Sequence, residues 1–152
     1  PVRLKLCRVP GFADIAIRGF NAFALAAVGM ACKNKERMTY EVRAGYLAPY
    51  NNFANRIGTL RFVQDIPMSS DALSYSVVKN IEENLEQFKS LPVMIAWGAK
   101  DFVFNDHFLK KWQGIFPEAE VHHIQDAGHY VVEDAHERII PWIQEFLQNN
   151  PL

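Results

Sequence analysis

The sequence predicts an α/β protein in which a helical region is followed by the β-α-β-α end of a parallel sheet. Three observations carry this. Val93–Trp97 is a continuous apolar run bounded by Pro92 and Gly98, the mark of a strand buried on both faces. Ala119–Ile124 is a second short run of strand type. Between them, Phe108, Leu109, Trp112, Ile115 and Phe116 repeat with helical spacing behind an Asn105 cap and ahead of Pro117. A strand, a crossover helix and a second strand in one sheet imply parallel pairing with a right-handed connection. Two such strands need covered faces and paired edges, so further strands beyond these residues are expected.

The elements ahead of Pro92 read as helices. Ile15, Ile17, Phe20, Phe23, Leu25, Ala27, Val28 and Met30 cover much of one helix surface, which predicts burial on more than one side. Thr39 is placed to cap a short helix running to Leu47 and closed by Pro49. Asn51 or Asn52 is expected to cap the next, which carries Phe53, Ile57, Leu60 and Val63 and stops at Pro67. After Ser69-Ser70-Asp71, the stripe Val77, Val78, Ile81, Leu85 and Phe88 faces away from Lys79, Glu82, Glu83 and Glu86, predicting an amphipathic helix on a core. At the other end, Asp134 with Glu137 fits a capping box opening a last helix with Ile139, Ile140, Trp142, Ile143, Phe146 and Leu147. Pro141 is expected to kink that helix.

A net charge of −1 and a 49% hydrophobic composition describe an ordinary globular domain, with no electrostatic footprint for nucleic acid or anionic membrane. No apolar run reaches the ~20 residues of a membrane span. Cys7 and Cys32 stand apart and outside any Cys-x-x-Cys pair, which reads as reduced, buried thiols of a cytoplasmic protein. The opening at Pro1, without Met or a cleavage pattern, is expected of a piece of something longer.

The chemistry gathers at the strand ends. Asp101 follows the first strand within Trp-Gly-Ala-Lys-Asp, and His129 follows the second, 28 positions on, within Asp-Ala-Gly-His-Tyr. A carboxylate aimed at an imidazole fixes its tautomer and leaves the other ring nitrogen free to move a proton. These are two members of a triad, acid then histidine. No glycine pair frames a nucleophile in a Gly-x-nucleophile-x-Gly elbow, and Cys7, Cys32, Ser69 and Ser70 lack the flanking small residues. Asp106 is the fallback acid, although an early helix position suits it to the helix N-terminus. Asp126 is expected to close a local turn. Phe102, Val103 and Tyr130 flank the pair and are candidates for the wall of an apolar pocket, with core packing as the alternative. His122 and His123 alternate across a strand and so face opposite sides; with His129 they suggest a metal, but no tight His/Cys/Asp spacing supports one.

The run Pro92 to Asp101 resembles the penultimate strand and acid turn of the α/β-hydrolase superfamily. Asp126 to Ala135 resembles its histidine loop and the start of its last helix. Arg43 to Tyr50 and Arg61 to Pro67 resemble the cap of the haloalkane dehalogenase-like branch, which includes epoxide hydrolases and the β-lactone-cleaving enzymes of long-chain olefin synthesis. The resemblance implies a partial α/β-hydrolase fold, with residues 1–70 as helical cap and 71–152 as the C-terminal part of the core. It implies catalytic roles for His129 and Asp101, and no metal or organic cofactor. An aspartate upstream of Pro1 would attack a small apolar substrate to give a covalent ester, which His129 would hydrolyse through water. The missing N-terminal half is the implied partner, and residues 1–152 alone are expected to be inactive. A serine nucleophile would make an esterase instead. A helical interaction module, or an inert truncation product, is the alternative of another class.

Overall fold

The computed structural model describes residues 2–151. They form two compact units, one of residues up to 29 with 40–84, the other of 30–39 with 85 onward.

The first unit is helical. It holds α1 (Val2–Leu6), a π-helix (Asp14–Gly19), α2 (Ala22–Met30, whose last residue passes into the other unit), α3 (Tyr40–Leu47), α4 (Ile57–Asp65) and α5 (Tyr75–Glu83). The single helix expected across Ile15–Met30 is broken, because Asn21 takes a left-handed backbone with φ +53°. Asparagine tolerates that conformation better than most residues, and here its Nδ2 also donates to Tyr50 O at 3.3 Å. Burial along this stretch is narrower than expected: Ile17, Ala24 and Val28 are buried, whereas Ile15, Phe20 and Met30 are exposed.

The core of this unit is Ala13, Ile17 and Leu60, with Cys7, Phe23 and Ile57 packed against it. Two arginines close helix ends. Arg56 donates to the carbonyls of Arg18 (2.7 Å) and Gly19 (2.9 Å) at the end of the π-helix. Arg8 donates to those of Val63 (3.2 Å) and Ile66 (2.6 Å) at the end of α4. A cation on a carbonyl-rich helix end satisfies orphan acceptors and complements the dipole. α4 starts at Ile57 rather than near Asn52, whose Oδ1 instead accepts from Asn55 N at 2.9 Å and closes the turn ahead of the helix. The expected packing of α5 on a core is corrected: it contributes no buried residue, and Val77 and Ile81 are 60% and 58% exposed.

The second unit holds β1 (Met94–Gly98), α6 (Asp106–Ile115), β2 (Glu120–Ile124) and α7 (Val131–Asn149). β1 and β2 pair in parallel, Met94 opposite Glu120 through Gly98 opposite Ile124. Asn105 caps α6 as expected, its side chain accepting from His107 N at 3.0 Å. On one sheet face, Ile124 and Ala96 pack with Ala127, Ala135, Ile139 and Trp142, and His122 stacks on the Trp142 ring at 4.0 Å. On the other, His123 Nε2 meets Asp106 Oδ1 of α6 at 3.0 Å. The two histidines therefore do face opposite sides. β1 is half-buried along most of its length rather than buried on both faces, as a two-stranded sheet must be when strands cover only each other's inner edge.

α7 begins at Val131, ahead of the expected opening at Asp134, and no side chain caps its start. Its one residue with non-helical backbone is Ala135 (φ −148°, ψ 24°), not Pro141. The acid read as a capping residue is engaged elsewhere, as described below.

Gly98 ends β1 against the loop that follows β2: a Cβ there would lie 2.3 Å from Gly128 O and 2.8 Å from Ala127 O. Backbone cannot swing aside as a side chain can. Gly98→Ala is therefore expected to destabilise by about 3 kcal/mol, while Gly114→Ala, inside α6 with nothing within 4 Å of its Cβ, stabilises by up to about 1 kcal/mol. Urea melts of the two variants check the contrast, and equal midpoints would contradict the close approach.

Candidate active site

The turn after β1 is built on backbone bonds to the neighbouring loop. Ala99 N donates to Ile124 O and Lys100 N to Ala127 O, each at 2.9 Å, and Asp101 N returns to Gly98 O at 3.1 Å. Asp101 is thereby held just beyond the strand. Its Oδ1 accepts from Val103 N (2.7 Å) and Phe104 N (2.9 Å), which fixes the plane of the carboxylate. Its Oδ2 is left for His129 Nδ1, at 2.9 Å. The acid side chain is only 10% exposed and the imidazole 30%. A proton on Nδ1, shared with the carboxylate, leaves Nε2 as the nitrogen available for proton transfer.

His129 lies in a loop that is anchored on both sides. Tyr130 N donates to Ala31 O at 3.0 Å. Gly128 N donates to Asp134 Oδ2 at 2.7 Å. A Cβ at Gly128 would sit 2.7 Å from Ala31 O, so the residue before the histidine must be glycine for the loop to pass that segment. Asp134 is buried and also accepts from Lys33 N (2.8 and 2.9 Å), Asn34 N (2.7 Å) and the Cys32 thiol (3.0 Å). Burial pushes its carboxyl up, but those hydrogen bonds outweigh burial and hold it below the ordinary carboxylate range. Burial and the same carboxylate push the Cys32 thiol up to about 12. Cys32 is thus a buried, protonated donor, and Cys7 is half-buried; both are free thiols.

The neighbouring rings surround the imidazole loosely. Ring centroids of Phe102, Phe104 and Tyr130 lie 6.2, 5.7 and 6.1 Å from that of His129. Val103, read as a wall residue, contributes its backbone N–H to Asp101. Phe104 was not singled out by sequence, although it sits one residue beyond Val103 and its ring also packs edge-on against Phe108. Asp106, the fallback acid, is committed to His123, and Asp126 pairs with Arg138 at 2.8 Å rather than only closing its turn. Glu137, read as half of a capping box, receives the Arg37 guanidinium through both of its oxygens. Ser69 bonds its neighbour Asp71 and lies in a turn.

A family model described as alpha/beta hydrolase fold matches residues 30–135. The chain belongs to the α/β-hydrolase family. Among its curated relatives are the cis-3-alkyl-4-alkyloxetan-2-one decarboxylases of Shewanella oneidensis, 43% identical over 147 residues and 97% of this chain, and of Xanthomonas campestris, 44% identical over 136 residues and 90% of it. The chain spans about half the length of these relatives, 46% and 45%. Among solved structures, the haloalkane dehalogenase DbeA from Bradyrhizobium elkani superposes with a TM-score of 0.82 at 18% identity, over 98% of this chain and 52% of that one. The α/β-hydrolase fold is thereby shown, as the part of it that these residues form. Among the described residues no helix is long and apolar enough to cross a membrane.

Asp134, through its carboxylate, is expected to make the loop that carries His129 acid-sensitive. Its folded carboxyl is more acidic than the unfolded one, which titrates near pH ~3.9. The stabilisation is therefore whole above that value and fades as pH falls through the folded one. With several donors to a buried carboxylate, Asp134→Asn is expected to cost about 3 kcal/mol at neutral pH and to flatten the acid limb. Urea midpoints measured from about pH 7 down to about pH 3 check this. Parallel acid limbs in wild type and variant would remove Asp134 as their source.

Proposed function

We propose that these residues supply the acid–histidine part of an α/β-hydrolase-family enzyme that acts on a cis-3,4-dialkyl β-lactone, releasing CO2 and an alkene. The observation that carries this reading is the 43% identity to an oxetan-2-one decarboxylase across 97% of the chain; the Asp101–His129 hydrogen bond fits it. The helical residues ahead of 70 serve as the cap and 71–152 as the C-terminal part of the core, with the nucleophile supplied by the rest of the enzyme. Reduced Cys7 and Cys32 fit a cytoplasmic setting.

The net reaction balances without water. The C4–O bond breaks, the C3–carboxyl bond breaks, its electron pair becomes the C3=C4 double bond, and both oxygens leave as CO2. A carboxylate nucleophile attacking C4 would invert that carbon, open the ring and form an alkyl ester carrying a free carboxylate at C3. Anti loss of CO2 with departure of the enzyme carboxylate then returns the nucleophile, and inversion followed by anti elimination turns a cis lactone into a cis alkene. His129, oriented by Asp101, is the group beside this centre that can hold or move a proton: as imidazolium it pairs with the carboxylate released from the ring. As imidazole it would instead activate water and divert the same ester to a β-hydroxy acid. The exposed rings of Phe102 and Phe104, with that of Tyr130, suit alkyl chains. No metal or organic cofactor enters these steps.

The test uses the full-length protein with a cis-3,4-dialkyl β-lactone, products being separated by gas chromatography. Cis alkene with one CO2 per lactone is expected. Formation of β-hydroxy acid alone, halide release from haloalkanes in place of lactone turnover, or turnover of p-nitrophenyl esters through a serine would each replace the reading with hydrolysis. His129→Gln is expected to lower kcat by at least about 10²-fold. Asp101→Asn, which removes the acceptor that sets the tautomer, is expected to lower it by up to about 10⁴-fold. A folded His129→Gln variant with wild-type turnover would end the assignment.

A further inference from the structure

We propose that Asp134 is a positioning residue for His129, holding the imidazole in reach of Asp101 by binding its loop to the turn at residues 32–34. The inference rests on the reading of His129 as the proton-handling group. His129 sits between two tethered backbone points. Tyr130 N is bound directly to Ala31 O, and Gly128 N is bound to residues 32–34 through the Asp134 carboxylate. Both tethers lead to one short segment, and the side that runs through a side chain depends on Asp134 alone.

The donor set explains why that side chain is a carboxylate. Gly128 N and Lys33 N converge on Oδ2 at 2.7 and 2.8 Å, while Asn34 N, Lys33 N and the Cys32 thiol converge on Oδ1 at 2.7, 2.9 and 3.0 Å. Every group facing it is a donor, so both oxygens must accept. An asparagine would turn an NH2 group toward one of these sets. If it faced Gly128 and Lys33, the loop would be pushed off the turn, and if it faced Asn34 and Cys32, the turn would be pushed off the loop. In either case the residue before His129 loses its fixed distance from residues 32–34. The displacement is transmitted to the ring, whose contact with Asp101 has no slack because the acid's other oxygen is fastened to Val103 N and Phe104 N. Asp134 is buried behind the loop, with its oxygens occupied by these donors, so it acts through His129 and not on substrate.

The experiment compares wild type, Asp134→Asn, Asn34→Pro and His129→Gln in the full-length protein. It reads kcat and KM on the β-lactone, the circular dichroism melt, and the far-downfield proton resonance of the His129–Asp101 hydrogen bond. Asn34→Pro deletes one donor to Asp134 at a position whose φ of −80° a proline ring accepts, and also removes the exposed side-chain cap on Glu36 N. Asp134→Asn is expected to lower kcat about 10²-fold with KM within about threefold, and to broaden or remove the downfield resonance in a protein that still melts cooperatively. Asn34→Pro is expected to move both readouts the same way by about a tenth as much, and it decides the matter if Asp134→Asn does not fold. A lowered melting temperature with wild-type kcat and an unchanged resonance would reduce Asp134 to a stabilising residue and overturn the inference, as would a rise in KM alone. Wild-type kcat in His129→Gln would instead overturn the underlying reading, and the resonance still scores Asp134 in that event.

Discussion

The contact on which the site depends is between two stretches of backbone. Gly98 ends β1 so close to the carbonyls of Ala127 and Gly128 that no side chain fits, and Gly128 in turn passes Ala31 with no room for a Cβ. These two approaches, together with the parallel ladder that aligns Gly98 with Ile124, fix how far the acid turn lies from the histidine loop. A hydrogen bond of 2.9 Å between Asp101 and His129 follows from that spacing. The Asp101 and His129 side chains are placed by the residues that have no side chain, an instance of accuracy gained from rigid supports.

The second constraint is the reach of one carboxylate across about a hundred residues of sequence. Asp134 gathers Cys32, Lys33 and Asn34 onto the loop before α7, and Arg37 with Glu137 repeats the link on the exposed side. This is why residues 30–39 group with the sheet and not with the helices on either side of them. Burying a carboxylate is costly unless its lone pairs are taken up, and here the Cys32 thiol and the backbone N–H groups of Lys33, Asn34 and Gly128 take them up.

Much of this was legible from local pattern. The apolar runs gave both strands, the Asn105 cap and Pro117 gave the helix between them, and strand-end placement brought Asp101 and His129 together. What escaped has a common cause. Asp134 spaced three residues from Glu137 satisfies the capping-box pattern, and nothing local says that its partners are at 32–34. Asn21 looks like an interruption in an apolar helix, yet its left-handed backbone is held by Tyr50, far along the chain. The stripe on α5 has the period of a buried face and remains exposed, since periodicity records which side is apolar and not what covers it. Phe104 lies three residues beyond Asp101, outside the immediate neighbours Phe102, Val103 and Tyr130 that local spacing points to.

Asp101 divides its work between oxygens, and its loop bonds go to the peptide groups of residues 103 and 104 rather than to their side chains. Those side chains can therefore be exchanged without loosening the acid, so long as the turn keeps its conformation. The lining around the imidazole is free to diversify under a fixed scaffold, whereas the acid cannot be lengthened by even one methylene without giving up one of its two attachments. Within one family, such a loop would let the side chains around the imidazole change while the Asp101–His129 hydrogen bond stays as it is.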